Sequence, residues 1–209
     1  MKLRPYLLLL VFAIVPHLAG IAHEFVYDDD GAIVENRFLS APDAWQRVLT
    51  LRTFSEPRTL DATRPTLLVS MLLDHATGPK TAWRYRATNI ALHAGCTLLL
   101  YSWLIGLLLR NGDKSAAARA FVAALIFAVH PLASEAIQVP SFREDPLSLF
   151  WMLVVLNLMP IRNGWVRTPL QAAAWLLALG AKRKRIGSAR AGGRDLVDIS
   201  RRTPFVAAR

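Results

Sequence analysis

Asp28, Asp29 and Asp30 stand side by side just past the first apolar block of the chain. Adjacent carboxylates repel one another, an arrangement that suits one of them to act as a general base. The same triplet also serves as a solvated acidic turn, and so short a motif does not separate the two. A second set of ionisable groups lies far downstream, where His130-Pro131 is followed by Glu135, Arg143, Glu144 and Asp145. The planar donor fork of Arg143 fits a phosphate, while an ion pair from Arg143 to Asp145 or Glu135 uses the same residues to fix a turn. A third set is a stripe. Tyr85, Asn89 and His93 recur every four residues, which on a helix keeps them within about 80° of one another.

The elements that must hold these groups are greasy. Hydrophobic residues make up 54% of the 209, and they fall in long blocks rather than in alternating or amphipathic patterns. The blocks are Leu7 to Ala22, Ala87 to Leu109, Ala116 to Ala133, Pro146 to Ile161 and Thr168 to Ala181. The second has 23 residues without a charge, enough to cross a hydrocarbon layer of about 30 Å; the 14 residues of the last reach only about 21 Å. The expected fold class is all-α, a polytopic membrane protein. In such a bundle the Tyr85, Asn89 and His93 stripe turns inward or toward a polar cavity, where it either serves a site or glues helices together.

Basic residues set the orientation. Lys2 and Arg4, then Arg110, Lys114 and Arg119, then Arg162 and Arg167 all fall cytoplasmic if the blocks alternate across the membrane. Residues 1–22 are then a first transmembrane helix, 23–83 a long extracytoplasmic loop carrying the acidic motif, and 84–181 the remaining bundle of three to four spans. The stretch from His130 to Asp145 faces the same side as the loop. Within the loop, a turn at Asp28 to Gly31, an amphipathic stretch from Ala44 to Leu51 and an apolar run from Thr66 to Leu73 predict short interfacial helices. Gly20 and Ala22 before His23 also fit a signal-peptide cleavage site, and either version exports the acidic loop. The lone Cys96 rules out an internal disulfide framework.

Taken in order, Phe25-Val26-Tyr27-Asp28-Asp29 with Ile33 and Asn36, Arg64-Pro65, the Tyr85, Asn89, His93 stripe, and His130-Pro131, Glu135-Ala136, Arg143-Glu144-Asp145 resemble the transmembrane and tetratricopeptide-repeat O-mannosyltransferases and their bacterial relatives. The resemblance covers about Phe25 to Lys182, the N-terminal portion of such proteins. It implies a fragment of a GT-C-like helical bundle in a bacterial inner membrane. It also implies transfer of a mannose-like sugar from a polyprenyl-phosphate carrier to Ser or Thr hydroxyls of exported proteins. Asp28 or Asp29 would be the base, and Arg143 with His130 would meet the donor phosphate. Glu135, Asp145, Tyr85, Asn89 and His93 would support the polar site. No metal or other cofactor and no nucleic-acid partner is expected. A non-catalytic membrane interaction or assembly protein that keeps the fold is the alternative.

The chain departs from that pattern after Ala181. No repeat of the tetratricopeptide kind follows. Lys182 to Arg209 instead holds nine basic and two acidic residues, a net +7 of the chain's +10. Such a tail on the exported side runs against the positive-inside bias. It is expected to be a frameshift-derived end of a truncated, inactive homologue.

Overall fold

The structure, a computed structural model, describes residues 3–56 and 59–182. Lys2 and the basic tail from 183 onward lie outside the described residues. Among the described residues every regular element is helical: α1 (Arg4–Leu18), α2 (Ala44–Leu49), α3 (Pro65–Thr77), α4 (Ala82–Arg110), α5 (Ala116–Val129), α6 (Ala133–Gln138), α7 (Glu144–Leu158) and α8 (Gly164–Ala181). A π-turn, Asp30–Val34, and two 3₁₀ turns, Arg52–Ser55 and Pro140–Phe142, complete the order.

Helix α4 is the axis of the molecule. Its 29 residues span about 43 Å, because the helix starts ahead of the apolar block and takes in the Tyr85, Asn89 and His93 stripe. Among the described residues it is the one helix long and apolar enough to cross a bilayer unaided. The sequence blocks predict more spans, but α1, α5, α7 and α8 run 15, 14, 15 and 18 residues. Proline accounts for the early end of α5. Pro131 disfavours helical backbone at the residue before it, and His130 is extended at φ −68° and ψ 127°.

Helices α1, α5 and α7 pack against α4, and α8 packs against α7 and α3. Small residues set the approach distances. Ala116, Ala120, Ala124 and Ala128 form one buried stripe on α5, which lets backbones come close without a cavity. Leu9 of α1 and Tyr101 of α4 pack against Ala120 and Ala124 of that stripe. On the α7 side, a Cβ on Gly95 would lie 2.9 Å from the Phe150 ring.

Over one end of the bundle lies a separate polar layer, built from the chain between α1 and α4 and from the segment between α5 and α7. Ile33, Val48, Leu67, Leu68 and Met71 form its core, and each side chain of this size contributes about 1.5–3 kcal/mol when buried. Helix α2 buries Ala44 and Val48, whereas its neighbouring apolar residue Leu49 is 70% exposed. The layer and the bundle meet at Arg143, which is fully buried. Its Nε donates to Asn89 Oδ1 at 2.7 Å, Nη1 to the Ser70 carbonyl at 3.1 Å and Nη2 to the Tyr85 carbonyl at 2.8 Å. Asp74 Oδ2 pairs with Nη2 at 2.5 Å, and Thr88 donates to the other Asp74 oxygen at 2.7 Å.

Removing one partner of a buried pair leaves an uncompensated charge and costs about 3–5 kcal/mol, whereas an exposed pair is worth about 0–1 kcal/mol. Asp74→Asn should therefore lower the thermal unfolding midpoint of the protein in detergent micelles sharply. Asp145→Asn, which breaks a half-exposed pair with Lys182, should leave it nearly unchanged.

Candidate active site

The acidic motif sits on a closed turn at the junction. The Asp29 amide donates to the Val26 carbonyl at 3.1 Å, and the Val26 amide donates back to Asp29 Oδ2 at 3.2 Å. The other carboxylate oxygen, Oδ1, accepts from the Ser141 amide at 2.8 Å, which ties the first loop to the segment just before α7. Asp29 is thus fully buried and consumed by the backbone. Its neighbours differ: Asp28 and Asp30 are exposed, and Asp30 opens the π-turn.

Asp28 lines a cleft of about 510 Å³ together with Tyr27, Asp61, Arg64, Ser141 and Glu144. Arg64 is held between two carboxylates, Asp61 at 2.8 Å and Glu144 at ion-pair contact. The pair with Glu144 joins the residue before α3 to the first residue of α7. The side chain of Arg64 stays 20% exposed, so it is reachable from the cleft in a way Arg143 is not. Backbone strain collects here too, since Tyr27 and Asp61 have φ of 53° and 55°, a region that costs non-glycine residues about 1–3 kcal/mol.

The predicted site residues separate into two groups. Tyr85 and Asn89 are brought to Arg143 and buried there, with Asn89 Nδ2 donating to the carbonyls of Ala136 and Ile137 at 3.2 and 3.3 Å. All three guanidinium nitrogens of Arg143 are engaged, so its geometry is that of an internal strut. His93 lies farther along the stripe, its Nε2 3.0 Å from the Ala128 carbonyl of α5. His130, Glu135 and Asp145 are exposed and do not line the cleft. His130 Nδ1 accepts from the Leu132 amide at 3.2 Å, and Asp145 pairs with Lys182. No cluster of three or more His, Cys, Asp or Glu placed to hold a metal ion occurs among the described residues.

Two residues were not singled out by the sequence. Arg86 is 1% exposed and donates from Nε to the Gln138 carbonyl at 2.9 Å, and from its two terminal nitrogens to the carbonyls of His23 and Glu24. It clamps the start of the acidic loop to α6. A three-residue step from Arg86 to Asn89 places it on the same helix face, a signal masked by a strict spacing of four. Asp74, the counter-ion of Arg143, carries no local signal at all.

Comparison with known proteins places this geometry in context. The chain is 33% identical over 147 residues to human protein O-mannosyl-transferase TMTC2, covering 67% of this chain. It is 27% identical over 160 residues to protein O-mannosyl-transferase F38B6.6 of Caenorhabditis elegans, covering 75% of this chain. The chain is a distant homologue of these proteins. It spans 17% of the human relative's length and 23% of the nematode relative's. The Xenopus laevis tmtc2 protein matches at 29% over 173 residues, 78% of this chain and 19% of its own. No family model matches the chain, and no solved structure does.

Electrostatics of the cleft give a test. Glu144 lies two residues ahead of Pro146, where the apolar run of α7 begins. Burial pushes its carboxyl above the ordinary carboxylate value, and Asp145 and Asp61 add to that push, against the pull of Arg64 and Lys182. A carboxyl whose proton is held more tightly in the folded state stabilises the fold fully below its unfolded value. That contribution is lost as pH rises through the folded value. The stability of the wild type should therefore fall relative to Glu144→Gln as pH rises through and above the ordinary carboxylate range. Paired melting curves in micelles across that range, if they stayed parallel, would contradict this.

Proposed function

We propose that the chain carries the catalytic end of a membrane-embedded glycosyltransferase that moves a mannose-like sugar from a polyprenyl-phosphate carrier to a protein Ser or Thr hydroxyl. The observation that carries this reading is the division of the acidic pair: Asp29 is locked into the fold while Asp28 faces a cleft beside Arg64. The distant homology to protein O-mannosyl-transferases supports the same chemistry.

Asp28 takes the proton of the acceptor hydroxyl as that oxygen attacks the anomeric carbon. General-base help of this kind is worth about 10² to 10⁴ in rate. The departing carrier phosphate needs charge stabilisation more than a proton. Arg64 is the cation that shares the cleft with Asp28, and it takes the phosphate role that the sequence suggests for Arg143 and His130. Asp29 acts as a positioning residue through the Ser141 amide.

The bundle sits in a bilayer in this reading. Its outer face exposes Val11 and Val15 on α1, Val122 and Ile126 on α5, Met152 on α7, and Trp175 and Leu176 on α8, more apolar surface than a water-facing helix bundle leaves open. The four chain ends that feed the polar layer, after α1, before α4, after α5 and before α7, alternate as successive spans require. With the basic clusters inside, the layer and its cleft face the exported side.

Two measurements test the proposal. Asp28→Asn, introduced into the longest reading frame that contains this chain, should cut glycosyl transfer at least about tenfold while leaving expression and membrane insertion intact; an unchanged rate returns Asp28 to a solvated turn. A topology reporter fused after Arg110 or Arg162 should read as cytoplasmic and one at Asp61 as exported, and a cytoplasmic Asp61 would sink the assignment of the cleft.

A further inference from the structure

Tyr27 stands out among the four tyrosines. Tyr85 is 0% and Tyr101 2% exposed, whereas Tyr27 is 83% exposed and lines the cleft next to Asp28. Its ring has no aromatic or cation contact among the described residues, so packing does not explain its presentation. Its backbone is also held against its preference. At φ 53° it occupies the left-handed region that a bulky residue avoids, and the three Asp29 bonds to Val26 and Ser141 keep it there. A glycine would fill this position without strain. A large ring kept at a strained turn and aimed outward, beside three carboxylates and one arginine, has the composition of a sugar subsite. The ring offers an apolar face to the C–H side of a pyranose, while the carboxylates of Asp28, Asp61 and Glu144 offer acceptors to its hydroxyls.

We infer that Tyr27 is the platform on which the hexose of the donor stacks, with the buried Asp29 turn as the device that presents it. This rests on the glycosyl-transfer reading above and deepens it. Stacking fixes the sugar's ring plane against Asp28, so Tyr27 governs sugar affinity and leaves recognition of the lipid chain to the bundle.

The test uses the whole chain in detergent micelles and a short-chain polyprenyl-phosphate mannose as probe, with the same polyprenyl phosphate lacking sugar as control. Equilibrium binding is measured for wild type, Tyr27→Phe, Tyr27→Trp and Tyr27→Gly, alongside enzymatic iodination of Tyr27 in the wild type. The platform predicts that the probe slows iodination of Tyr27 and the sugar-free control does not. It also predicts that Phe and Trp retain affinity, and that Gly weakens probe binding about tenfold while thermal stability holds or rises, since Gly relieves the strained φ. If the wild type binds the probe, Gly binds it equally well and iodination is unaffected, the platform is overturned and the glycosyl-transfer reading stands. Iodination slowed equally by the sugar-free control makes Tyr27 a lipid-facing anchor and likewise overturns the platform. Failure of the wild type to bind the probe at all overturns both.

Discussion

A guanidinium with no access to water dictates the architecture around it. Taking such a group out of solvent costs several kcal/mol unless every donor finds a partner. Arg143, just ahead of α7, finds them on two other elements: Ser70 and Asp74 on α3, and Tyr85 and Asn89 on α4. These elements have no freedom to shift independently, because any displacement strips a donor from a charge that has nowhere else to go. The polar layer is therefore fixed to the bundle by electrostatics at one point and by Arg86 at another, where His23, Glu24 and Gln138 are gathered.

Consecutive residues of like chemistry end in opposite circumstances on this frame. Asp29 spends its oxygens on backbone amides, and Asp28 keeps its own for the cleft. The Ser141 amide holds Asp29 and not Asp28, so one of the two neighbours is drawn inside and the other stays exposed. Charged groups deep in the structure thus serve geometry, while those at the cleft, Asp28, Arg64 and Glu144, remain within reach of a ligand.

Residue type and order carried much of this. The long apolar blocks, the helical class, the acidic motif, the inward stripe and the meeting of the two polar segments at one end were all legible, since each follows from local composition or from 3.6-residue periodicity. What periodicity does not reveal is pairing across the chain. Arg143 has a donor fork suited to a phosphate, and only the arrival of Asp74 and Asn89 from distant segments shows its donors to be taken. Arg86 was hidden by a template that stepped by fours, although a helix alternates steps of three and four. The length of α5 was overestimated because apolar residues continue past Val129, where Pro131 turns the backbone of His130 out of the helix.

The uneven length of the helices bears on how the loop relates to the rest. Because α4 projects beyond its neighbours and carries Tyr85, Arg86 and Asn89 on its first turns, the polar layer is founded on this long helix as well as on its own hydrophobic centre. Residues 23–81 cut free would leave Asp74 facing nothing, the His23 and Glu24 carbonyls unmatched and Asp29 without Ser141. The loop is thus no portable module. Its shape is borrowed from the helices beneath it, so grafting the acidic motif onto another bundle would transplant the residues without the conformation that separates their roles.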